Sequence, residues 1–236
     1  MGRSMKRKRY KINKPIFIKR IITFVVVIAL IIYGIKALYS NAKDVYASKQ
    51  EYQSQLVQTE GYTEKSAFPN EVFGVPVYTD LVSKNSDGRP GTKRLIKYIV
   101  LHETGNFDNG ANSRLHAVFL TENSDIDTSW HYTVDDKEIY HHIPDNEIAW
   151  HAGDGKGPGN MNGIGIELCV NRDGNFEKTF ENATKLVAYL LKEYDLTVDD
   201  IKTHGDFVDK ECPTSILRNH RINEFKNKVK TLMKRK

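Results

Sequence analysis

The chain has 236 residues, enough for one domain with appendages. Its 39% hydrophobic and 28% charged residues are ordinary for a globular protein and exclude a fibrous or disordered chain. Residues 1–20 hold nine Lys or Arg and no acid, so a net charge of +5 leaves about −4 for the remainder. The basicity belongs to a tail and does not point to a nucleic-acid-binding domain.

After this tail, residues 21–35 are uncharged and almost wholly apolar. With Lys36 snorkelling, the run extends over residues 21–39, and a helix of that length covers about 28 Å, close to the hydrocarbon thickness of a bilayer. The expectation is one N-terminal transmembrane helix with residues 1–20 in the cytoplasm and the rest of the chain outside. Ser40-Asn41-Ala42 has the small-x-small form of a cleavage site, so a signal peptide removed near Ala42 is the alternative. Residues 40–68 are polar and read as a stalk, and the globular part is expected over 69–236.

Within the globular part, residues 95–101 are apolar and β-branched and read as a buried strand. Residues 111–122 have helical spacing through Leu115, Val118 and Phe119. Residues 130–134 and 138–143 read as a hairpin across Asp135-Asp136-Lys137. Residues 163–170 are a second buried strand, closed by the turn Asn171-Arg172-Asp173-Gly174. Residues 180–194 are amphipathic, with Leu186, Val187, Leu190 and Leu191 on one side, and residues 219–233 read as a last helix. The mixture predicts a single α/β domain with a central mixed β-sheet flanked by helices.

The chemistry gathers on a few residues. His204 and Cys212, eight apart, can put an imidazole and a thiolate on one metal, and His102 follows the strand over 95–101. Two histidines and a cysteine with an open fourth position suit a catalytic zinc site. The two cysteines, Cys169 and Cys212, could alternatively pair in a disulfide outside the cell, although a thiolate committed to metal cannot bridge. Glu167 interrupts an apolar strand. Alternation turns it away from Ile166 and Leu168, where it can act as a general base or form a buried salt bridge. Lys210 is either a solvated charge or, two residues before Cys212, a group within reach of a developing oxyanion.

Taken together, His102 with Thr104-Gly105, Ser129-Trp130-His131-Tyr132, Ala149-Trp150-His151-Ala152-Gly153, Asn162 through Glu167, Thr203-His204 and Lys210-x-Cys212-Pro213 resemble the zinc-dependent N-acetylmuramoyl-L-alanine amidases. These are related to phage lysozyme-type amidases and peptidoglycan recognition proteins. The resemblance implies a peptidoglycan hydrolase that cuts the amide between N-acetylmuramic acid and L-alanine. It implies His102, His204 and Cys212 as zinc ligands, and Glu167 and Lys210 as catalytic residues. His151, Trp130 and Asn162 are expected to bind substrate. Some family members carry tyrosine where this chain has Trp130, and many carry a second histidine where it has Glu103. The alternatives are a peptidoglycan-binding module without catalysis and a zinc peptidase acting within the stem peptide. His116 is expected on a helix face and His220 on the surface.

Overall fold

The computed structural model describes residues 30, 33, 34, 36, 68–84 and 86–235. The chain divides into two units, residues 1–54 and 55–236. In the first, the four described residues are helical, and Leu30 and Tyr33 are exposed. The rest of the expected membrane span over 21–39, and the expected stalk over 40–68 except Phe68, lie outside the described residues; Phe68 packs against the core of the second unit. Among the described residues, no helix is long and apolar enough to cross a membrane.

The second unit is built on a seven-stranded sheet with the order β1-β2-β5-β4-β6-β3-β7. Its strands are β1 (Glu71–Val72), β2 (Val75–Thr79), β3 (Tyr98–Glu103), β4 (Tyr132–Val134), β5 (Ile139–His141), β6 (Gly163–Leu168) and β7 (Ile201–Thr203). β6 runs parallel to both β4 and β3, and β3 runs parallel to β7. β4 and β5 form the antiparallel hairpin predicted across residues 135–137, and β5 runs parallel to β2. The sheet is therefore mixed, as the sequence predicts, but β1, β2 and β7 go unread there. They have two, five and three residues, too short for periodicity to register.

Alternation divides the two central strands cleanly. Ile99 and Leu101 of β3 and Ile164, Ile166 and Leu168 of β6 enter the main apolar core. Helix α3 (Phe176–Glu193) closes that core with Phe180, Ala183, Leu186, Val187, Leu190 and Leu191, spaced to share one face. Its first turn is capped by the Asn175 side chain, which accepts from Lys178 N–H. Helix α5 (Ile222–Met233) lies against α3, with Phe225 edge-on to Phe180 at 5.2 Å. Arg221 reinforces the same junction, stacking over Phe180 at 4.2 Å and donating to both carboxylate oxygens of Glu177 at 2.6 and 2.7 Å. A second, smaller apolar cluster of Val82, Leu120, Trp130, Ile143 and Ala149 gathers beneath α1 (Ser113–Glu122).

The remaining faces of β3 and β6 carry Val100 and His102, and Gly163, Gly165 and Glu167. Register puts His102 directly opposite Glu167, and Glu167 opposite Thr133 of β4. Two short helices, α2 (Pro158–Asn162) and α4 (Thr214–Leu217), complete the fold. Proline at the start of α2 suits a position whose N–H needs no partner.

Candidate active site

His102 is the fifth residue of β3, inside the strand rather than beyond its end. His204 opens a 3-10 turn, His204–Asp206, directly after β7. Asp206 holds that turn, its carboxylate accepting from Thr203 N–H at 2.6 Å and from Thr203 Oγ1 at 2.9 Å. Since β7 lies beside β3 with Leu101 opposite Thr203, the two imidazoles meet across the strand ends. Their Nδ1 atoms face each other 2.9 Å apart. Cys212, brought in by the loop after the turn, puts its Sγ within 4.8 Å of both. The Cys212–Pro213 peptide is cis, and both cysteines are free, so no disulfide forms.

The electrostatics of this cluster suit a cation. Burial holds His102 well below the ordinary histidine range, helped by the charges of neighbouring imidazoles and Lys210. Burial also lowers His204, again with Lys210 contributing. Both rings are therefore neutral ligands near pH 7. The Cys212 thiol is pushed up to about 11, chiefly by burial, so a metal would have to displace its proton. Two neutral imidazoles and one thiol, all buried, form a donor set that suits zinc.

Glu167 stands beside this cluster. Burial raises its carboxyl to about 8, Lys210 lowers it, and Glu103 raises it. Its Oε2 is buried without a hydrogen-bond partner, so the salt bridge weighed from sequence is not formed at that atom. Lys210 is exposed, yet its charge acts on Glu167, His102, His204 and Cys212 alike.

Trp130 is buried and donates its indole N–H to Thr133 Oγ1 at 2.6 Å. One face still borders a groove of about 490 Å³ lined by Thr104, Asn106, Leu115, His116, Val118 and Phe119. His151 and Asn162, expected to bind substrate, are both engaged within the protein. His151 is buried behind His102, with Nδ1 3.0 Å from His102 Nε2 and Nε2 3.0 Å from the Gly163 carbonyl. Both ring nitrogens are occupied within the protein, so neither is left for substrate. Asn162 ends α2, and its amide donates to Leu95 O at 2.9 Å. It precedes β6, while Glu167 lies five residues further on, roughly 16 Å away along an extended strand.

Several residues around the site make contacts that the sequence reading does not give. Glu103 accepts from Ser215 N–H at 2.8 Å and ties the end of β3 to the first turn of α4, just past Cys212. Asn160 Oδ1 accepts from the backbone N–H of His151 and Ala152 at 2.8 and 2.7 Å. Arg89 grips Glu147 through Nε at 2.7 Å and Nη2 at 3.1 Å, and Arg94 Nε donates to Glu147 O at 2.7 Å. Nothing local in the sequence marks these pairs. The available signal was glycine at alternate positions 163 and 165 of a strand, which announces a close neighbour. His116, expected on a helix face, is buried and approaches Asn112 O at 2.8 Å, while His220 is exposed as expected.

A mixed-sheet α/β domain that gathers two imidazoles, a thiol and a buried carboxyl at its central strand ends has the make-up of a metal-dependent hydrolase. The family profile described as N-acetylmuramoyl-L-alanine amidase matches residues 91–215, and the chain belongs to that family. It is 43% identical over 143 residues to N-acetylmuramoyl-L-alanine amidase XlyA of Bacillus subtilis (strain 168), covering 61% of this chain and 48% of the relative. It is 42% identical over 144 residues to N-acetylmuramoyl-L-alanine amidase CwlH of the same organism, covering 61% and 57%. The chain thus spans about half the length of the curated relatives it matches. The solved catalytic domain of XlyA superposes with a TM-score of 0.63 at 41% identity, covering 66% of this chain and 99% of that one. PlyL superposes with a TM-score of 0.61 at 30% identity, covering 66% and 97%.

Proposed function

We propose that the chain is a peptidoglycan hydrolase that cleaves the amide between N-acetylmuramic acid and the L-alanine of the stem peptide, with zinc held by His102, His204 and Cys212. The observation that carries this reading is the convergence of the facing Nδ1 atoms, 2.9 Å apart, with Cys212 Sγ and with Glu167 in register opposite His102. Membership of the amidase family supports the bond assignment.

Bound there, zinc supplies Lewis-acid polarisation of the scissile carbonyl and lowers the pKa of a water. Glu167 takes a proton from the attacking water and returns it to the departing L-alanine amine. Burial raises its carboxyl to about 8 in the metal-free protein, and a dication held by the neighbouring donors would lower it. The Lys210 ammonium faces the charge that develops on the carbonyl oxygen. Trp130 and the groove beside it are proposed to receive substrate. The proposal also keeps residues 21–39 as a membrane anchor that holds the domain outside the cell, with cleavage near Ala42 as the alternative.

Digestion of purified peptidoglycan, followed by mass spectrometry of the fragments, tests this reading. The expected products are stem peptides with free L-alanine amines beside peptide-free glycan, formed by the wild type and abolished by a chelator. Glu167→Ala is expected to lose about 10²–10⁴-fold in rate while keeping its zinc. Cuts within the stem peptide would instead indicate a peptidase. Wall binding without chelator-sensitive release would indicate a binding module.

A further inference from the structure

The fixed direction of the His102 lone pair has a visible origin in the protein. The Gly163 carbonyl can only accept, so His151 Nε2, 3.0 Å away, carries a proton. A neutral His151 ring then has a bare Nδ1, and the partner facing it at 3.0 Å, His102 Nε2, must donate. That leaves His102 Nδ1 unprotonated and aimed at the cluster. His204 is treated alike. Its Nδ1 faces His102, its Nε2 faces residue 153, and the Ala152 carbonyl is its backbone hydrogen-bond partner. Both Nδ1 atoms are therefore bare at a separation of 2.9 Å, a contact that no shared proton relieves and that a cation does.

We infer that His151 is a positioning residue for the metal centre, and that the adjacent pair His151 and Ala152 sets the tautomer of both histidine ligands. Two features show that this segment is built for the task. Asn160 Oδ1 takes both of its backbone N–H groups, at 2.8 and 2.7 Å, which fixes the pair as a unit. Residue 165 is glycine because the His151 ring lies flat against it, where an added Cβ would come within 2.6 Å of His151 Cγ. Outer partners of this kind fix ring orientation and ligand basicity, and their loss typically costs about 10–100-fold in metal affinity.

The inference rests on the reading of His102, His204 and Cys212 as metal ligands, and the test separates the two. Zinc affinity is measured on the full chain by competition with a chromophoric chelator, for the wild type, His151→Asn and His151→Gln. Asparagine keeps an acceptor near the Nδ1 position, whereas glutamine keeps a donor towards Gly163 O and lacks that acceptor. His151→Asn is expected within a few-fold of the wild type, and His151→Gln about 10–100-fold weaker. Equal affinities for the two variants would overturn the positioning role. Absence of zinc binding by the wild type would overturn the ligand reading itself. A measurement independent of folding in the variants is the ring nitrogen–proton correlation spectrum of the metal-free wild type. It is expected to place the His102 proton on Nε2, and a proton on Nδ1 refutes the inference.

Discussion

Glu167 is a carboxyl pulled in two directions: burial and the neighbouring Glu103 favour its neutral form, while Lys210 favours its charged form. The balance, about 8 against an ordinary 4.5, ties the stability of the metal-free protein to pH. The folded state binds this proton more tightly than the unfolded chain. Its contribution is therefore fully present below about 4.5 and is lost progressively as pH rises towards 8. Glu167→Gln removes that dependence. Denaturant titrations of the metal-free proteins across this window are expected to show the variant gaining on the wild type as pH rises, and parallel curves would refute the assignment. A second residue-scale prediction concerns Gly165. The added methyl of Gly165→Ala meets the His151 ring at 2.6 Å, so the variant is expected to lose about 1–3 kcal/mol of stability, measured by thermal unfolding. Residue identity alone pointed to the metal donors and to Glu167, because imidazole, thiol and a carboxylate inside an apolar strand are chemically conspicuous. It did not give the partners of His151 and Asn162, which lie in segments distant in the chain.

Elements explain how these groups meet. β3 and β6 pair in parallel and in register, so His102 and Glu167 emerge side by side while Leu101, Ile166 and Leu168 enter the core. A slip of either strand by one residue would exchange that strand's faces and turn its functional group into the apolar core. α3 was legible from its periodicity because its apolar stripe is long; its start, four residues before the predicted one, is set by the Asn175 cap. Leu190 is fully buried in that stripe, and Leu190→Ala is expected to cost about 2–5 kcal/mol in denaturant unfolding. At the other end of the site, Glu103 holds the start of α4, just past Cys212, through its bond to Ser215 N–H. Glu103→Ala is expected to weaken zinc binding more than Glu103→Gln, because glutamine keeps an acceptor for that N–H. Chelator competition on the two variants checks the order. β7, three residues long, was invisible from sequence, yet it delivers His204 to His102.

At the scale of the molecule, the three candidate donors come from β3, the turn after β7 and the loop before α4, so a metal held by them would bridge segments about a hundred residues apart. A ligand that binds only the folded state stabilises it, by about 2.7 kcal/mol at a free concentration of a hundred times its Kd. Adding zinc to the metal-free protein is expected to raise its melting temperature, and the rise is expected to vanish in Cys212→Ala; differential scanning calorimetry reads both. The amino-acid sequence by itself determined the α/β class, the long helix, the central strands, the donor set and the family likeness. These follow from local periodicity and from side-chain chemistry that few positions can carry. Only the tertiary structure decided that His151 stands behind His102, that Asn162 lies at the far end of β6, and that Glu103 and Asn160 brace the site. Those roles are set by the register and packing of strands distant in the chain, which no local pattern encodes.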